Sequence, residues 1–323
     1  MKNSTIVDPS GRYKKTNELI TAKNHCVYFN GYDTYSGNMV IWIEFRTNSL
    51  EGNTLAKIMD NIECTKSIKH SCIIQILTTW IDQKNHIVYI ITESATAKTL
   101  FNLVHSPYYT MNTRVISRWF AEIVDALSFL ENNSTFHGEI FIDEIYVKTN
   151  TGHIKIGIPL HHIAGKTNFK LSYYTPPENL LGLCDAQSDV WMLGIIILET
   201  ITRKKPYSEC KSPSDLMNKL MKNELPKLFY EINDSNAKDF LSQCFLPHAI
   251  RPMPSDLARH PFLQMPKRRE SSIIESPSFI TQSKDRNVFF YDILAEPNRQ
   301  IRDTDSIHFS TSLPGILMPT LKH

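Results

Sequence analysis

Net charge is almost absent from this sequence. Its 323 residues carry 35 Lys and Arg against 33 Asp and Glu, a balance of +2, so no single-sign field argues for a nucleic acid partner. Paired cysteines are absent too. The six cysteines are scattered, with no CxxC pair and no His-rich spacing. That pattern indicates neither a zinc site nor a disulfide framework and suits a reducing compartment. There is no long apolar run. The longest, around Val190 to Leu198, falls far short of the roughly 20 residues a membrane span needs. Met1 leads into a polar segment, so no secretory signal is expected. What remains is a chain long enough for one large domain or two lobes.

The periodicities divide it. Residues 1–19 read as a polar lead-in. From about Ala22 the pattern is that of strands, with Cys26 to Phe29 and Met39 to Phe45 flanking a turn over Asp33 to Asn38. Residues 50–69 space Leu55, Ile58, Met59 and Ile62 for one helical face. Two further strands are expected over Ile73 to Trp80 and His86 to Thr92. A clean helix follows over 111–131, striped by Val115, Trp119, Ile123, Ala126, Leu127 and Leu130. The segment from Asp189 through Glu199 is apolar all round, as a central buried helix is, and helices are expected over 214–223 and 235–245. Beyond Gln264 the composition shifts to Ser, Thr, Pro and Asp, so residues 266–323 read as a mostly disordered tail. Two apolar islands interrupt it, one over 288–294 and one over 313–318.

The informative stretch is His137-Gly138-Glu139-Ile140-Phe141-Ile142-Asp143-Glu144. Its frame resembles the protein-kinase catalytic loop, His-Arg-Asp-Leu followed four residues later by Asn. Downstream, Thr175-Pro176-Pro177-Glu178 resembles Ala-Pro-Glu. Ser188-Asp189-Val190-Trp191-Met192-Leu193-Gly194 resembles Ser-Asp-Val-Trp-Ser-Leu-Gly, and Ile250-Arg251-Pro252 follows at kinase spacing. The resemblance implies an α+β, protein-kinase-like bilobal fold. A small β-rich N-lobe with one helix (αC) covers 20–93, and a larger helical C-lobe covers 94–265. It implies that His137 holds backbone, that Glu178 and Arg251 form a buried pair, and that Asp189 anchors the catalytic loop.

The phosphate-handling positions differ from the kinase pattern. The stretch matching the glycine-rich loop, Ile20 to His25, has no glycine to let backbone N–H groups approach a triphosphate. Ile43 stands at the phosphate-pairing lysine, Asn61 at the αC glutamate, Glu139 at the base aspartate and Glu144 at the metal-binding asparagine. Ile158 stands at the first metal aspartate and offers no oxygen to a hard cation. Lys23, Thr92 and Glu93 are the weak candidates for contacting a nucleotide, at the loop and the hinge. Glu139 and Glu144 are expected to face solvent.

Gly11-Arg12-Tyr13, Asp33-Thr34 with Gly37, Val40-Ile41-Trp42-Ile43-Glu44, Thr92-Glu93, Arg118-Trp119, His137-Gly138 and Ile154-Lys155-Ile156-Gly157 are together similar to the nuclear receptor-binding protein family of pseudokinases, relatives of the WNK (with-no-lysine) kinases. The resemblance implies a catalytically inactive scaffold or adaptor that binds partner proteins in intracellular signalling or trafficking, and the expected address is the cytoplasm or the nucleus. The scaffold would have no metal and no cofactor beyond weak, Mg²⁺-independent ATP binding. Its partners would be proteins docking at the αC groove, at the αG region over Ser214 to Leu225, or on the two tail islands. Two alternatives stand beside it: an unconventional WNK-related serine/threonine kinase of weak activity, with Glu139 as base, and an ATP-binding switch without turnover.

Overall fold

The structure, a computed structural model, describes residues 6–23, 26–47, 52–95, 97–108, 112–148, 151–158 and 171–264. The tail beyond 264, with both its islands, lies outside the described residues, as do Pro159, Leu160 and Thr167.

Alternating strand patterns build the first lobe. Strands β1 (Tyr13–Lys23), β2 (Cys26–Asp33), β3 (Met39–Arg46), β4 (Ile76–Asp82) and β5 (Ile87–Glu93) form an antiparallel sheet in the order β1-β2-β3-β5-β4. Helix α1 (Gly52–Ser67) packs on it through Ile58 and Ile62, both buried. The expected lead-in over 1–19 is corrected here: β1 starts at Tyr13, and Val7 bridges Lys14 ahead of it. Polar residues dominate this strand because it lies at the sheet edge, where one row of groups stays wet. Tyr13 is nonetheless buried, its N–H donating to Asp8 Oδ1 at 2.6 Å. Lys15 Nζ lies 2.6 Å from Glu44 Oε1 and 3.5 Å from the centre of the Phe29 ring, so its charge is neutralised against apolar surface.

A three-stranded sheet, β6 (Ala97–Thr99), β7 (Ile145–Lys148) and β8 (Ile154–Ile156), opens the second lobe. Its helices are α2 (Leu100–Val104), α3 (Thr113–Asn132), α4 (Ala186–Thr202), α5 (Pro213–Met221), α6 (Ser235–Cys244) and α7 (Pro254–Leu257). Each long helix begins at a residue whose side chain can accept an otherwise orphaned N–H: Asn112 for α3, Asp185 for α4, Ser212 for α5 and Asp234 for α6. α4 is buried on every face and packs against α3, α6 and α7. Among the described residues, no helix is long and apolar enough to cross a membrane.

Close approach explains one glycine. A Cβ on Gly194 of α4 would fall 2.7 Å from Cys244 Cβ and 2.7 Å from the Phe245 ring. Gly194→Ala gains helix propensity of about 1 kcal/mol but must overpack this crossing, at about 1–3 kcal/mol. Net destabilisation is therefore expected, read as a lower urea midpoint.

Candidate functional site

The catalytic-like loop runs from α3 to β7 and is fixed from below by α4. Asp189 accepts from the N–H of His137 at 2.6 Å and of Gly138 at 2.7 Å. Gly138 has φ 80°, a left-handed conformation that glycine adopts without strain. His137 is buried, and its Nε2 lies 3.1 Å from the Gly157 carbonyl, which ties the loop to the segment after β8. Burial pushes the Asp189 carboxyl up to about 7, against the downward pull of the two N–H donors. Asp189→Asn keeps one acceptor and orphans one buried donor. A loss of about 1–3 kcal/mol is expected, measured by chemical denaturation.

Glu139 and Glu144 do not simply face solvent, as the sequence alone suggests. Both are partly buried, and both are close enough to the first lobe for their charges to act on Cys26. Burial raises the Glu139 carboxyl above its ordinary range. The Glu144 carboxylate lies against Gly157, with Oε2 3.6 Å from where a Cβ would stand. The Gly157 N–H donates to the Glu144 carbonyl at 2.9 Å.

The roof of the site is apolar. Ile43 and Ile158 are buried in one cluster with Cys26, Ile58, Ile62, Ile74 and Ile90, and Tyr28, Ile41, Ala95 and Tyr146 pack against it. Asn61 lies on α1, its carbonyl accepting from Thr65 Oγ1. Lys23 ends β1, opposite Cys26 in register. Burial first, then the fields of Glu144 and Glu139, push the Cys26 thiol up to about 12.

At the hinge, Thr92 is buried and pairs with Ile41 of β3 and Ile76 of β4. Glu93 meets a residue that sequence reasoning missed: Lys155 Nζ lies 2.5 Å from Glu93 Oε1, which also accepts from the Gln75 N–H at 2.9 Å. The signal was a single lysine inside the apolar strand Ile154-Lys155-Ile156. A cation in a buried strand needs a carboxylate partner. With Ile156 N–H donating to Cys72 O and Ile74 N–H donating to Ile156 O, this pair ties β8 to the hinge side of the first lobe.

Below α4, Glu178 and Arg251 are both buried, with Arg251 Nη1 2.5 Å from Glu178 Oε1 and Nη2 3.1 Å from Oε2. Among the described residues, ligand atoms of Glu178, Asp185 and His248 lie within 4.8 Å of one another. These atoms already serve the fold. Glu178 takes Arg251 and Ser188, while Asp185 caps α4 and contacts His248 Nε2 at 2.8 Å.

Residues 26–263 match the family model described as the protein kinase domain. The chain belongs to this family. The match covers most of the sequence and both lobes, so the expected bilobal kinase fold is present. This kinase domain is similar to serine/threonine-protein kinase WNK8 of Arabidopsis thaliana, at 26% identity over 286 residues, covering 86% of this chain and 50% of the relative. It is similar at 26% over 266 residues to probable kinase WNK9 of Oryza sativa subsp. japonica, covering 80% and 64%. It is similar at 27% over 271 residues to probable kinase WNK4 of Arabidopsis thaliana, covering 79% and 46%. The chain spans about half the length of the curated relatives it matches.

Two expectations are corrected by these matches. They support a WNK-related kinase domain and not the narrower assignment to the nuclear receptor-binding pseudokinases. The expectation of a non-enzyme is overturned as well: the matched domain is the protein kinase domain and the relatives are named as serine/threonine kinases, so an enzyme is better supported.

Proposed function

We propose that this chain is an unconventional, WNK-related serine/threonine protein kinase that transfers phosphate slowly, with Glu139 as its general base. The observation that carries this reading is the anchored loop. Asp189 and His137 hold the backbone on either side of the helix–strand junction, and the one acid at the base position is lifted by burial toward the pH at which a base accepts a proton well. The relatives' names supply the reaction class.

The donor set does not fit the usual pair of magnesium sites. Ile158 and Ile43 carry no oxygen or charge, and both are buried among aliphatic side chains. No step is therefore routed through a metal, and ATP binding is proposed to be weak and independent of Mg²⁺. Kinase catalysis is mainly positioning and electrostatic stabilisation of the moving phosphoryl group. A site without that lysine and acid retains positioning and proton removal, which accounts for a slow enzyme.

The scaffold part of the earlier expectation reduces to a docking proposal. Leu181 and Leu183, with Met221 at the end of the neighbouring α5, are exposed apolar side chains beside the αG region where partner proteins would bind. The six free cysteines fit a reducing compartment, and the cytoplasm is the proposed address.

The test is transfer of labelled γ-phosphate from ATP to serine and threonine peptides by the purified chain, with Mg²⁺ and with EDTA. Slow transfer persisting in EDTA is the expected result. No transfer above a protein-free blank in either condition overturns the proposal.

A further inference from the structure

The sheet of the first lobe is apolar on both faces. Residues alternate sides along a strand, and the two sets form separate clusters. Ile43, Phe45, Val88 and Ile90 join the cluster under α1. Trp42, Tyr89 and Ile91 turn the other way, with Phe29 of β2 and Trp80 of β4. Every member of this outer cluster sits on a strand of the sheet itself, and among the described residues no helix joins it. An antiparallel sheet with one face on its core ordinarily turns polar groups outward on the other. This outer face turns rings instead. Trp80 stacks on Tyr89 with centroids 4.9 Å apart, and Trp42 meets the two edge-on at 5.1 and 5.7 Å. Trp42 is fully buried, Phe29 and Trp80 are partly exposed, and Leu19, opposite Phe29 in register, is half exposed. Arg46 follows Trp42 and Glu44 on the same side of β3, exposed and without an ion pair among the described residues.

The chain itself carries a segment of matching chemistry. Val288-Phe289-Phe290-Tyr291-Asp292-Ile293-Leu294 is the one place in the sequence with three aromatic residues in a row. Its single charge, the Asp292 carboxylate, is opposite in sign to Arg46. The described residues end at Gln264. About 24 residues lead from there to the segment, and a chain of that length spans up to about 80 Å. A domain of this size has a radius of gyration of about 18 Å, so the outer face is within reach. A tether of this length raises the segment's effective concentration toward roughly millimolar, so a weak contact suffices.

We propose that residues 288–294 bind the outer face of the first-lobe sheet of their own chain. Their aromatic side chains pack on Trp80, Tyr89 and Phe29, and Asp292 pairs with Arg46. Ring pairs of this kind add to plain burial of apolar area. The contact stands apart from phosphate transfer, since this face lies on the opposite side of the sheet from Ile43.

The experiment is acrylamide quenching of tryptophan fluorescence in the whole chain. Of its four tryptophans, Trp42, Trp119 and Trp191 are fully buried, so the quenchable ring is Trp80. Expected are weak quenching of the wild type at every protein concentration, and a red shift with steep quenching when Phe289→Asp and Phe290→Asp are combined. A synthetic peptide of residues 285–297 added to that double variant should restore the shielding. Arg46→Glu should weaken the peptide by about fivefold, the upper end for an exposed ion pair, and an Asp292→Arg peptide should recover the loss. Trp80→Phe should abolish the difference between the wild-type tail and the doubly substituted one. Should the double variant not fold, Arg46→Glu in the full chain, alone and with Asp292→Arg, decides by exposing Trp80 and then shielding it again. Equal quenching of wild type and variant, or a difference that survives Trp80→Phe, overturns the proposal. So does shielding that survives the double variant and disappears on dilution, which assigns the face to a second copy of this chain.

Discussion

Replacing Arg251 by alanine is expected to destabilise the domain by about 3–5 kcal/mol, because it leaves the Glu178 carboxylate charged, buried and unpaired. The pair is bidentate, and nothing about it is exposed: the side chains of Arg251 and Glu178 are 0% and 3% accessible. Arg251 also donates from Nη1 to the Gln187 carbonyl and from Nε to the Leu246 carbonyl, and its guanidinium lies 5.1 Å from the centre of the Trp191 ring. One side chain thus joins the turn after Pro177, the start of α4 and the segment after α6. For a domain of this size each kcal/mol is roughly 2–4 °C in Tm, so a drop of roughly 6–20 °C is expected by calorimetry. Arg251→Lys should recover only part, since an ammonium cannot make the two parallel bonds. An unchanged Tm in Arg251→Ala would mean the charge is compensated elsewhere.

Glu139→Gln should lower kcat for phosphate transfer by about 10²–10⁴ if the carboxylate is the base. The amide matches its shape and cannot take a proton. The pH dependence adds a second reading of the same group. A base works only when deprotonated, and burial lifts the Glu139 pKa above the usual carboxylate range. Wild-type rate should therefore fall as pH drops through that lifted value. Above it the rate should be flat, and the acid limb should vanish in the glutamine variant. Residual transfer equal to wild type would assign the proton elsewhere. Asp143 is the neighbouring acid to test next.

The C-lobe was legible in the sequence because its signals are covalently local and chemically specific. The all-round apolar run through Leu198 could only be a buried helix, and the stripe from Val115 to Leu130 had only one face to bury. The first lobe was less legible at its edge. β1 was hidden inside the residues read as a lead-in because Lys14, Lys15, Thr16, Asn17 and Glu18 carry no alternation of apolar with polar groups. Their strand is held by backbone pairing to β2 and by Lys15 reaching Glu44, 29 residues away, which no local pattern encodes. Partial burial of Glu139 and Glu144 was illegible for the same reason: it depends on what the fold brings near the loop, Cys26 of the first lobe included. Lys155 with Glu93 is the intermediate case. A lone charge in an apolar strand needs a partner, but that was not read from the sequence, and only the fold names Glu93.

α4 has no side turned to water, and its walls come from α3, α6 and α7, which stand on both sides of it in the chain. Such a segment cannot reach its final state early and wait for the rest. Until its neighbours close round it, it is an adhesive apolar surface, and once they have, none of them can leave alone. The second lobe should therefore melt in a single step, and a ribosome that has released only the first 200 residues holds a chain still unable to finish its own centre.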